Sequence, residues 1–513
     1  MKLRKRIKQM IVLFFVTVMI MSGNFSCYGQ SGDNALHNAL GFNTTSDPAG
    51  MAAKSQSHPL LKPRAEYMPV YELAVFGDNT GSGKLTYGLF GHDRPYGLTK
   101  SALNCLHSSS TGVTDLGYDN KVVASRSVAL HLTPSGKSDM IATYFVQRLE
   151  SGSNAGNYEF KLVIKSATSK TWNYVSKDLY GIVFSMHKNL LWTSGAIDNY
   201  LSIAAVDFSD DGLDEIVVFA LDDIIIFKND GKGFTSANWT QSTLQQGYAD
   251  NRSTSHSPVV FAKGDFDEDG KEDLAWTWAD LSKTVWDYDN TTTTGRAYTK
   301  YILGKDVQFN SSTDKNRIKN LEFSTTDDIF YAPALVWADI DGDGRCELVQ
   351  SGLVRAAGEE GISPYTYFYK GFAYKKWNSG TGFGSNVTLF KDNAIIYMKS
   401  NQIPQEHLVR TPLYVAVGRL GGFVGTTYVL MGSKILKKTS DSFELFNDFQ
   451  SLNYNYFSAG STNVAVQSGN FYGTDLTDQF VVVAYKHDSD PANSRRMLYY
   501  LKTPAEIMQT QVL

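Results

Sequence analysis

Short apolar runs alternate with turn-forming, acid-rich loops along most of this chain. The runs hold about four residues each, are rich in β-branched and aromatic side chains, and come in pairs around a loop. Such runs on both sides of a turn signal predict β-hairpins rather than helices. The three clearest pairs are residues 203–206 with 216–219, 259–262 with 274–276, and 334–337 with 348–350. The pattern therefore predicts an all-β protein.

The three loops between these runs share one acidic spacing. Each has oxygen-bearing side chains at positions 1, 3, 5 and 9 and glycine at position 6. We call residues 207–215 loop one, residues 265–273 loop two and residues 339–347 loop three. The side chains at the four positions are Asp207, Ser209, Asp211 and Glu215 in loop one, Asp265, Asp267, Asp269 and Asp273 in loop two, and Asp339, Asp341, Asp343 and Glu347 in loop three.

This spacing predicts calcium binding. Ca²⁺ takes six to eight oxygen ligands, alternate residues of a tight loop can converge on one ion, and glycine permits the sharp turn. The residue at position 7 would contribute its backbone carbonyl, and these residues are Leu213, Lys271 and Arg345. We therefore expect about three Ca²⁺ sites, with loop one the weakest because Ser209 replaces an acid. The alternative is that the loops are solvated Asp-Gly turns without a metal.

Weaker copies of the loop recur elsewhere in the chain. Loops with fewer acids start at residues 78, 131, 418 and 470, which makes seven loop starts together with the three acidic loops. A second signature, Asn-x-Gly-x-Gly-Phe, occurs within residues 227–234 and 376–383. Such Asn- and Gly-rich sequences form hairpin turns. A repeat with two hairpins predicts about four strands per unit.

The acidic loop, the hydrophobic strand after it and the downstream turn together resemble the FG-GAP/VCBS repeat family. That family includes the β-propeller of integrin α subunits and many secreted bacterial proteins. The resemblance implies a β-propeller of about seven four-stranded blades, with six to eight possible, over residues 70–513. It also implies calcium in the blade hairpins. Radial repetition suits such units, because it leaves only short, protected sheet edges.

The N-terminus has the pattern of a secretory signal. Five basic residues lie within residues 2–8, and an apolar run follows at residues 10–21. We predict a signal peptide over residues 1–29 and a flexible leader over residues 30–69, and hence a secreted or cell-envelope protein. The apolar run is short for a membrane span, and we find no other transmembrane candidate. A lipid anchor at Cys27 is the less favoured alternative, because residues 24–26 form a poor lipobox.

Composition excludes some partners and leaves others open. Removing residues 1–29 removes five basic residues and no acidic ones, so the net charge becomes more negative than −4. The absence of a basic stripe argues against nucleic acid as a partner.

Cys105 and Cys346 are then the only cysteines, and we expect no disulfide between them. For the tryptophans we favour core packing over a sugar-stacking platform; the residues in question are Trp278, Trp286, Trp337 and Trp377.

These observations predict a secreted, calcium-binding β-propeller that binds a macromolecular ligand, either a glycan or an extracellular protein. We identify no catalytic residues and lean against an enzyme. Two alternatives remain. The chain could be a calcium-dependent polysaccharide lyase, since rhamnogalacturonan lyases also use calcium-rich propellers. It could also be a propeller module of a larger surface or toxin-like assembly.

Overall fold

A computed structural model describes the chain in segments from residue 74 to residue 512. The described residues are 74–77, 86–89, 121–132, 140–148, 152–153, 157–166, 179–188, 201–220, 223–233, 236–245, 259–279, 297–309, 315–323, 329–355, 365–384, 388–399, 413–420, 426–432, 434–440, 442–448, 461–469, 478–486, 495–503 and 506–512. The predicted signal peptide, the leader, Cys27, Cys105 and Trp286 lie outside these residues. The predictions for them stay untested.

The described residues form antiparallel sheets that follow one another along the chain. Sheet I has two strands, β1 (Ala74–Gly77) and β2 (Thr86–Leu89). Sheet II has β3 (Lys121–Leu130), β4 (Met140–Arg148), β5 (Tyr158–Ser166) and β6 (Leu179–Lys188). Sheet III has β7 (Leu201–Val206), β8 (Glu215–Ala220), β9 (Asp223–Asn229) and β10 (Trp239–Gln245). Sheet IV has β11 (Val260–Gly264), β12 (Asp273–Ala279), β13 (Ala297–Ile302) and β14 (Lys319–Leu321).

The second half of the chain continues the same order. Sheet V has β15 (Ile329–Ala338), β16 (Glu347–Arg355), β17 (Tyr365–Lys375) and β20 (Thr388–Lys399), and a small hairpin of β18 (Trp377–Asn378) and β19 (Gly382–Phe383) lies between its last two strands in sequence. Sheet VI has β21 (Val415–Gly418), β22 (Tyr428–Met431), β23 (Lys434–Lys438) and β24 (Phe443–Asp448). Sheet VII has β25 (Ser461–Gly469), β26 (Gln479–Lys486), β27 (Arg495–Thr503) and β28 (Glu506–Val512).

The all-β prediction is confirmed for the described residues, which contain only short 3₁₀ turns besides strands. No helix in the described part of the chain is long and apolar enough to cross a bilayer. The repeat frame also agrees with the structure, because each predicted loop start follows the first strand of one of sheets I to VII. One start needs a correction of a single residue. Gly418 is the last residue of β21, so that loop begins at Arg419.

Successive sheets pack against each other through their first strands. β3 contacts β7, β7 contacts β11, β11 contacts β15, β15 contacts β21, and β21 contacts β25. β1 also contacts β3 at the start of the series. A radial arrangement of blades requires this order of inner strands. Closure of the series into a ring stays a prediction.

The core lies between neighbouring sheets. Ile216, Val217, Val218 and Phe219 of β8 are consecutive residues and all are 0% exposed, so both faces of this strand are covered. They belong to one hydrophobic cluster that also contains side chains of sheets II and IV. A strand covered on both faces has a continuous apolar sequence, and an alternating sequence is typical of a strand with one wet face. This burial explains the short unbroken apolar runs seen in the sequence.

The described tryptophans pack in the core, as predicted. Trp278 is buried, and Trp337 and Trp377 pack against the buried cluster between sheets IV and V. Phe266 lies 4.7 Å from Trp337 and 5.5 Å from Phe383 between ring centroids. These ring contacts join β15 and the β18–β19 hairpin to loop two.

Hydrogen bonds of one kind join three pairs of successive loops. Three pairs of residues make the same link: His131 with Asp214, Asp207 with Glu272, and Arg419 with Asp478. In each pair the backbone N–H of the first residue donates to the side-chain carboxylate of the second residue. The backbone N–H of the second residue donates to the carbonyl oxygen of the first. The donor–acceptor distances are 2.6–3.1 Å. In loops one and two the carboxylate comes from position 8, which the repeat analysis did not single out.

The link at His131 gives a pH-dependent contribution to stability. The hydrogen bond to Asp214 raises the pKa of His131, while burial acts in the opposite direction, and Lys263 and Glu272 also face the ring. A histidine whose pKa is raised in the folded state stabilises the fold. This stabilisation is fully present below the pKa of the unfolded state, about 6.5, and is lost as pH rises through the pKa of the folded state. We expect the stability advantage of the native chain over His131→Asn to be largest at pH 5.5–6 and to shrink by pH 8.5. Urea unfolding across this range measures it, and an advantage that stays constant with pH would contradict the assignment.

Candidate metal loops

The three acidic loops have one conformation, fixed by three hydrogen bonds that recur in each. The carboxylate at position 1 accepts the N–H of the glycine at position 6, the carboxylate at position 5 accepts the N–H of position 7, and the carboxylate at position 9 accepts the N–H of position 2. The donor–acceptor distances are 2.9, 2.9 and 3.0 Å for the first bond, 3.0, 3.0 and 2.9 Å for the second, and 2.9, 2.6 and 3.0 Å for the third, in loops one, two and three. The predicted ligands therefore also hold their own loops.

Two positions in each loop have left-handed backbone. The glycines at position 6 have φ of 76°, 93° and 93°, as the sequence predicted. Position 4 is left-handed as well, with φ of 54° at Asp210, 59° at Glu268 and 83° at Gly342. The sequence analysis missed this second position, because only loop three has glycine there. Residues with a side chain are strained in this region.

Each loop is tethered by a buried apolar residue at position 2 and a buried acid at position 9. The apolar residues are Phe208, Phe266 and Ile340, and the acids are Glu215, Asp273 and Glu347. Burial raises the pKa of Asp273 and of Glu347 to about 7 in each case. Burial also raises the pKa of Glu215, although hydrogen bonds from Lys228 and Ser209 lower it in part. A buried carboxylate is costly unless a positive charge compensates it.

In loops two and three the acids converge as a cation site requires. One oxygen each from Asp265, Asp267 and Asp269 lie within 4.8 Å of one another, and so do one oxygen each from Asp339, Asp341 and Glu347. Among the described residues, loop one has no such group. Asp273 and Asp343 also lie outside these groups, although both belong to the predicted ligand set.

Two buried oxygens in these groups have no hydrogen-bond partner. They are Oδ1 of Asp267, whose side chain is 7% exposed, and Oε1 of Glu347, whose side chain is fully buried. A buried oxygen without a partner costs free energy comparable with its lost solvation. The residues of loops two and three therefore fit a hard divalent cation, which would satisfy both oxygens.

A lysine ammonium lies against the acids of every loop, and the sequence analysis did not find these lysines. Lys228 reaches loop one, where its Nζ donates to Ser209 and lies 2.7 Å from Glu215 Oε1 and 3.2 Å from Asp211 Oδ2. Lys305 reaches loop two, where it pairs with Asp267. Lys376 reaches loop three, where it pairs with Asp341 and lies 2.6 Å from Asp343 Oδ2 and 3.7 Å from Glu347 Oε1.

These lysines lie near the end of the third strand of each sheet or shortly after it. In sheet III, Ile216 pairs with Phe227, so Glu215 and Lys228 lie across from each other one residue further along. In sheet V, Leu348 pairs with Lys375, which places Lys376 across from Glu347 in the same way. Lys305 lies beyond the end of β13, in a 3₁₀ turn. A lysine at the end of the third strand is the sequence signal that could have identified them.

The predicted position 7 residues take part in the loops through their N–H groups, while coordination by their carbonyls stays a prediction. Leu213, Lys271 and Arg345 each donate an N–H to the acid at position 5. The guanidinium of Arg345 also contacts both carboxylate oxygens of Glu268 at 2.6 Å, which joins loop three to loop two. Its neighbour Cys346 is a free thiol, and burial raises the pKa of this thiol to about 11.

No protein-family profile and no curated protein matches the chain. Similar solved structures include the α-L-arabinofuranosidase of Fusarium graminearum in complex with arabinobiose, with a TM-score of 0.36, 11% identity and coverage of 74% of this chain and 93% of that one. Another is the exotype rhamnogalacturonan lyase YesX, with a TM-score of 0.27, 11% identity and coverage of 87% and 72%. The β-propeller domain of the trilobed protease from Pyrococcus furiosus has a TM-score of 0.25, 8% identity and coverage of 73% and 92%. With TM-scores below 0.5, these similarities carry no functional argument.

The left-handed glycine at position 6 gives a test of the loop conformation. A Cβ at Gly344 would meet no atom within 4 Å, so Gly344→Ala changes only the backbone energy. We expect it to lower the free energy of unfolding by about 1–2 kcal/mol, measured by urea denaturation. Gly344→Asn should cost less, because asparagine tolerates left-handed backbone better than alanine does. Equal stabilities for the native chain and Gly344→Ala would show that the turn is not formed as described.

Proposed function

We propose that this chain is a calcium-binding protein whose loops two and three each take one Ca²⁺. The observation that supports this most strongly is the pair of buried oxygens without hydrogen-bond partners, on Asp267 and Glu347, each within a converging group of acids. A divalent cation would satisfy these oxygens and compensate the buried charge. Two sites replace the three expected from the spacing alone, because the acids of loop one do not form a converging group and none of their buried oxygens lacks a hydrogen bond.

The ligands in our proposal come from the acids that the spacing predicts. In loop two they are Asp265, Asp267, Asp269 and Asp273, with the carbonyl of Lys271; in loop three they are Asp339, Asp341, Asp343 and Glu347, with the carbonyl of Arg345. Calcium would act structurally, since these loops connect the first two strands of sheets IV and V. We further propose that the sheets close into an FG-GAP/VCBS-type β-propeller, secreted or held in the cell envelope.

Calcium should stabilise the fold by a measurable amount. With a Kd of roughly 0.1 mM, typical of weak extracellular sites, about 1 mM free Ca²⁺ would add about 1.4 kcal/mol per site. Two sites would add about 3 kcal/mol, or a few degrees in Tm for a fold of this size. We expect about two Ca²⁺ per chain by equilibrium dialysis and a Tm that falls when EDTA is added. An unchanged Tm, with no bound calcium, would contradict the proposal.

Single substitutions assign each ion to its loop. Asp269→Asn in loop two and Asp341→Asn in loop three should each lower the stoichiometry by one and remove about half of the calcium-dependent rise in Tm. Asp230→Asn is the matched control, because Asp230 is an acid of the turn after β9 and lies outside all three loops. If neither loop variant changes the stoichiometry, the bound calcium lies elsewhere.

For the macromolecular ligand we propose a glycan rather than a protein. The supporting feature is Tyr298, which is 42% exposed and stacks on the buried Trp278 at 5.5 Å between ring centroids. Such a ring is held rigidly, and tyrosine combines an apolar face with a polar hydroxyl, which suits contact with a sugar. Tyr298 lies in β13 of sheet IV, where it pairs with Trp278 of β12, the strand that follows loop two.

A glycan array tests this part of the proposal. We expect the native protein to bind one class of polysaccharide and Tyr298→Ala to weaken that binding about tenfold or more. Leu445→Ala is the control, because Leu445 is also a large exposed hydrophobic residue, in sheet VI. Binding that is equal in the native protein and the Tyr298 variant would place the site elsewhere. New unsaturated products from pectic polymers would instead favour the lyase alternative.

A further inference from the structure

Loop one carries less negative charge than the other two acidic loops. Serine stands at position 3, so its predicted ligand set contains three acids where loops two and three contain four. The hydroxyl of Ser209 donates a hydrogen bond to Glu215. This hydrogen bond stabilises the negative charge of the buried Glu215 carboxylate, so that less stabilisation by a bound cation is required. A site with three charges and one hydroxyl suits a monovalent cation better than a site with four charges does.

Every predicted ligand of loop one has a partner. Asp207 accepts the N–H groups of Asp211 and Gly212, and both oxygens of Glu215 are hydrogen-bonded. No buried side-chain oxygen of this loop lacks a hydrogen-bond partner, whereas loops two and three each have one that does. Loop one is therefore complete without a metal.

The side-chain oxygens of three loop-one residues surround the ammonium of Lys228. It contacts Ser209, Asp211 and Glu215, which are three of the four predicted ligands. The ring of Phe309 covers it from another side, with its centroid 4.6 Å from Nζ. A cation above an aromatic face is stabilised by the charge distribution of the ring. Only 28% of the Lys228 side chain is exposed, so the ammonium is held in the fold.

We propose that Lys228 serves as a built-in cation in loop one, in place of Ca²⁺, so that this loop is formed at any calcium concentration. The inference rests on the proposed function in one respect, namely that loops of this spacing bind calcium. It goes further by dividing the three loops into one that is independent of metal and two that depend on it.

The lysines of the other two loops are less well placed for this role. Lys305 is 48% exposed, pairs with Asp267, and lies 3.9 Å from Asp269. Lys376 is 35% exposed and pairs with Asp341 and Asp343, but its Nζ lies 3.7 Å from the buried Oε1 of Glu347, beyond hydrogen-bond distance. In both loops a buried oxygen is still without a hydrogen bond while the lysine is present. These two ammonium groups can be exchanged for a divalent ion that binds more of the oxygens.

The first test compares the same position in two loops of the full chain. Asp211→Asn in loop one should leave the calcium stoichiometry unchanged, whereas Asp269→Asn in loop two should lower it by one. Both are exchanges of an acid for its amide at position 5, so the two variants are matched. If Asp211→Asn also lowers the stoichiometry by one, loop one binds calcium and the inference is wrong, while the proposed function stands.

The second test removes the built-in cation. Lys228→Met leaves the buried Glu215 without its ammonium, so we expect a lower Tm in EDTA, one additional bound Ca²⁺ per chain, and a rise in Tm with added CaCl₂ larger than that of the native protein. Lys232→Met is the control, because the side chain of Lys232 is 80% exposed and its ammonium lies 3.9 Å from Oδ2 of Asp230, outside all three loops. The control should change neither Tm nor stoichiometry.

The outcomes separate the two proposals. The idea that the ammonium and Ca²⁺ share one position is wrong if Lys228→Met binds no additional calcium. It is also wrong if added calcium does not restore the Tm that this variant has lost. A native chain that binds no calcium overturns the proposed function, and binding of one ion by Lys228→Met would still support the built-in cation. Should Lys228→Met fail to fold, the comparison of Asp211→Asn with Asp269→Asn decides the inference alone.

Discussion

The buried acid at the end of each loop is the constraint on which this part of the structure depends. Glu215, Asp273 and Glu347 each begin the second strand of a sheet and fix the N–H of position 2. That hydrogen bond sets the direction in which the chain enters the hairpin. The same burial makes the negative charge expensive, since an uncompensated carboxylate in the interior costs several kcal/mol. A positive charge at each loop is therefore part of the fold, whether it comes from a lysine or from a metal ion.

The loops also depend on one another. Asp207 holds its own loop through Gly212 and contacts Glu272 of the following loop through its backbone. Glu268 of loop two contacts Arg345 of loop three, and Asp339 of loop three accepts a bond from Arg419 at 3.0 Å. Neighbouring loops are thus joined by hydrogen bonds as well as by the hydrophobic clusters that adjacent sheets share. Cations bound at loops two and three would therefore also stabilise loop one, which is hydrogen-bonded to loop two.

The sequence was sufficient for features that depend on local spacing. Acids at alternate positions, the glycine at position 6 and the apolar runs predicted the three loops, their flanking strands and the order of the units, because a tight turn and a strand are determined by adjacent residues. It was insufficient for contacts between distant parts of the chain. Lys305 is 38 residues from Asp267 and Lys376 is 33 residues from Asp343, and their approach depends on the register of the third strand. The left-handed backbone at position 4 was hidden for a different reason, since Asp210 and Glu268 have side chains that usually avoid it.

The choice between a lysine and a metal ion follows from what each can offer. A tethered ammonium loses little freedom when it binds, because the fold already holds it, whereas a free ion loses its translational freedom and part of its hydration shell. The ammonium carries one charge and makes three hydrogen bonds, which matches the three contacts that Lys228 makes with loop one. Calcium carries two charges and accepts six or more oxygens, so it competes best where three acids converge and one buried oxygen is still without a hydrogen-bond partner. In our proposal, the serine at position 3 shifts the balance toward lysine in loop one, and the acids Asp267 and Asp341 at the same position favour the metal ion in the other two loops.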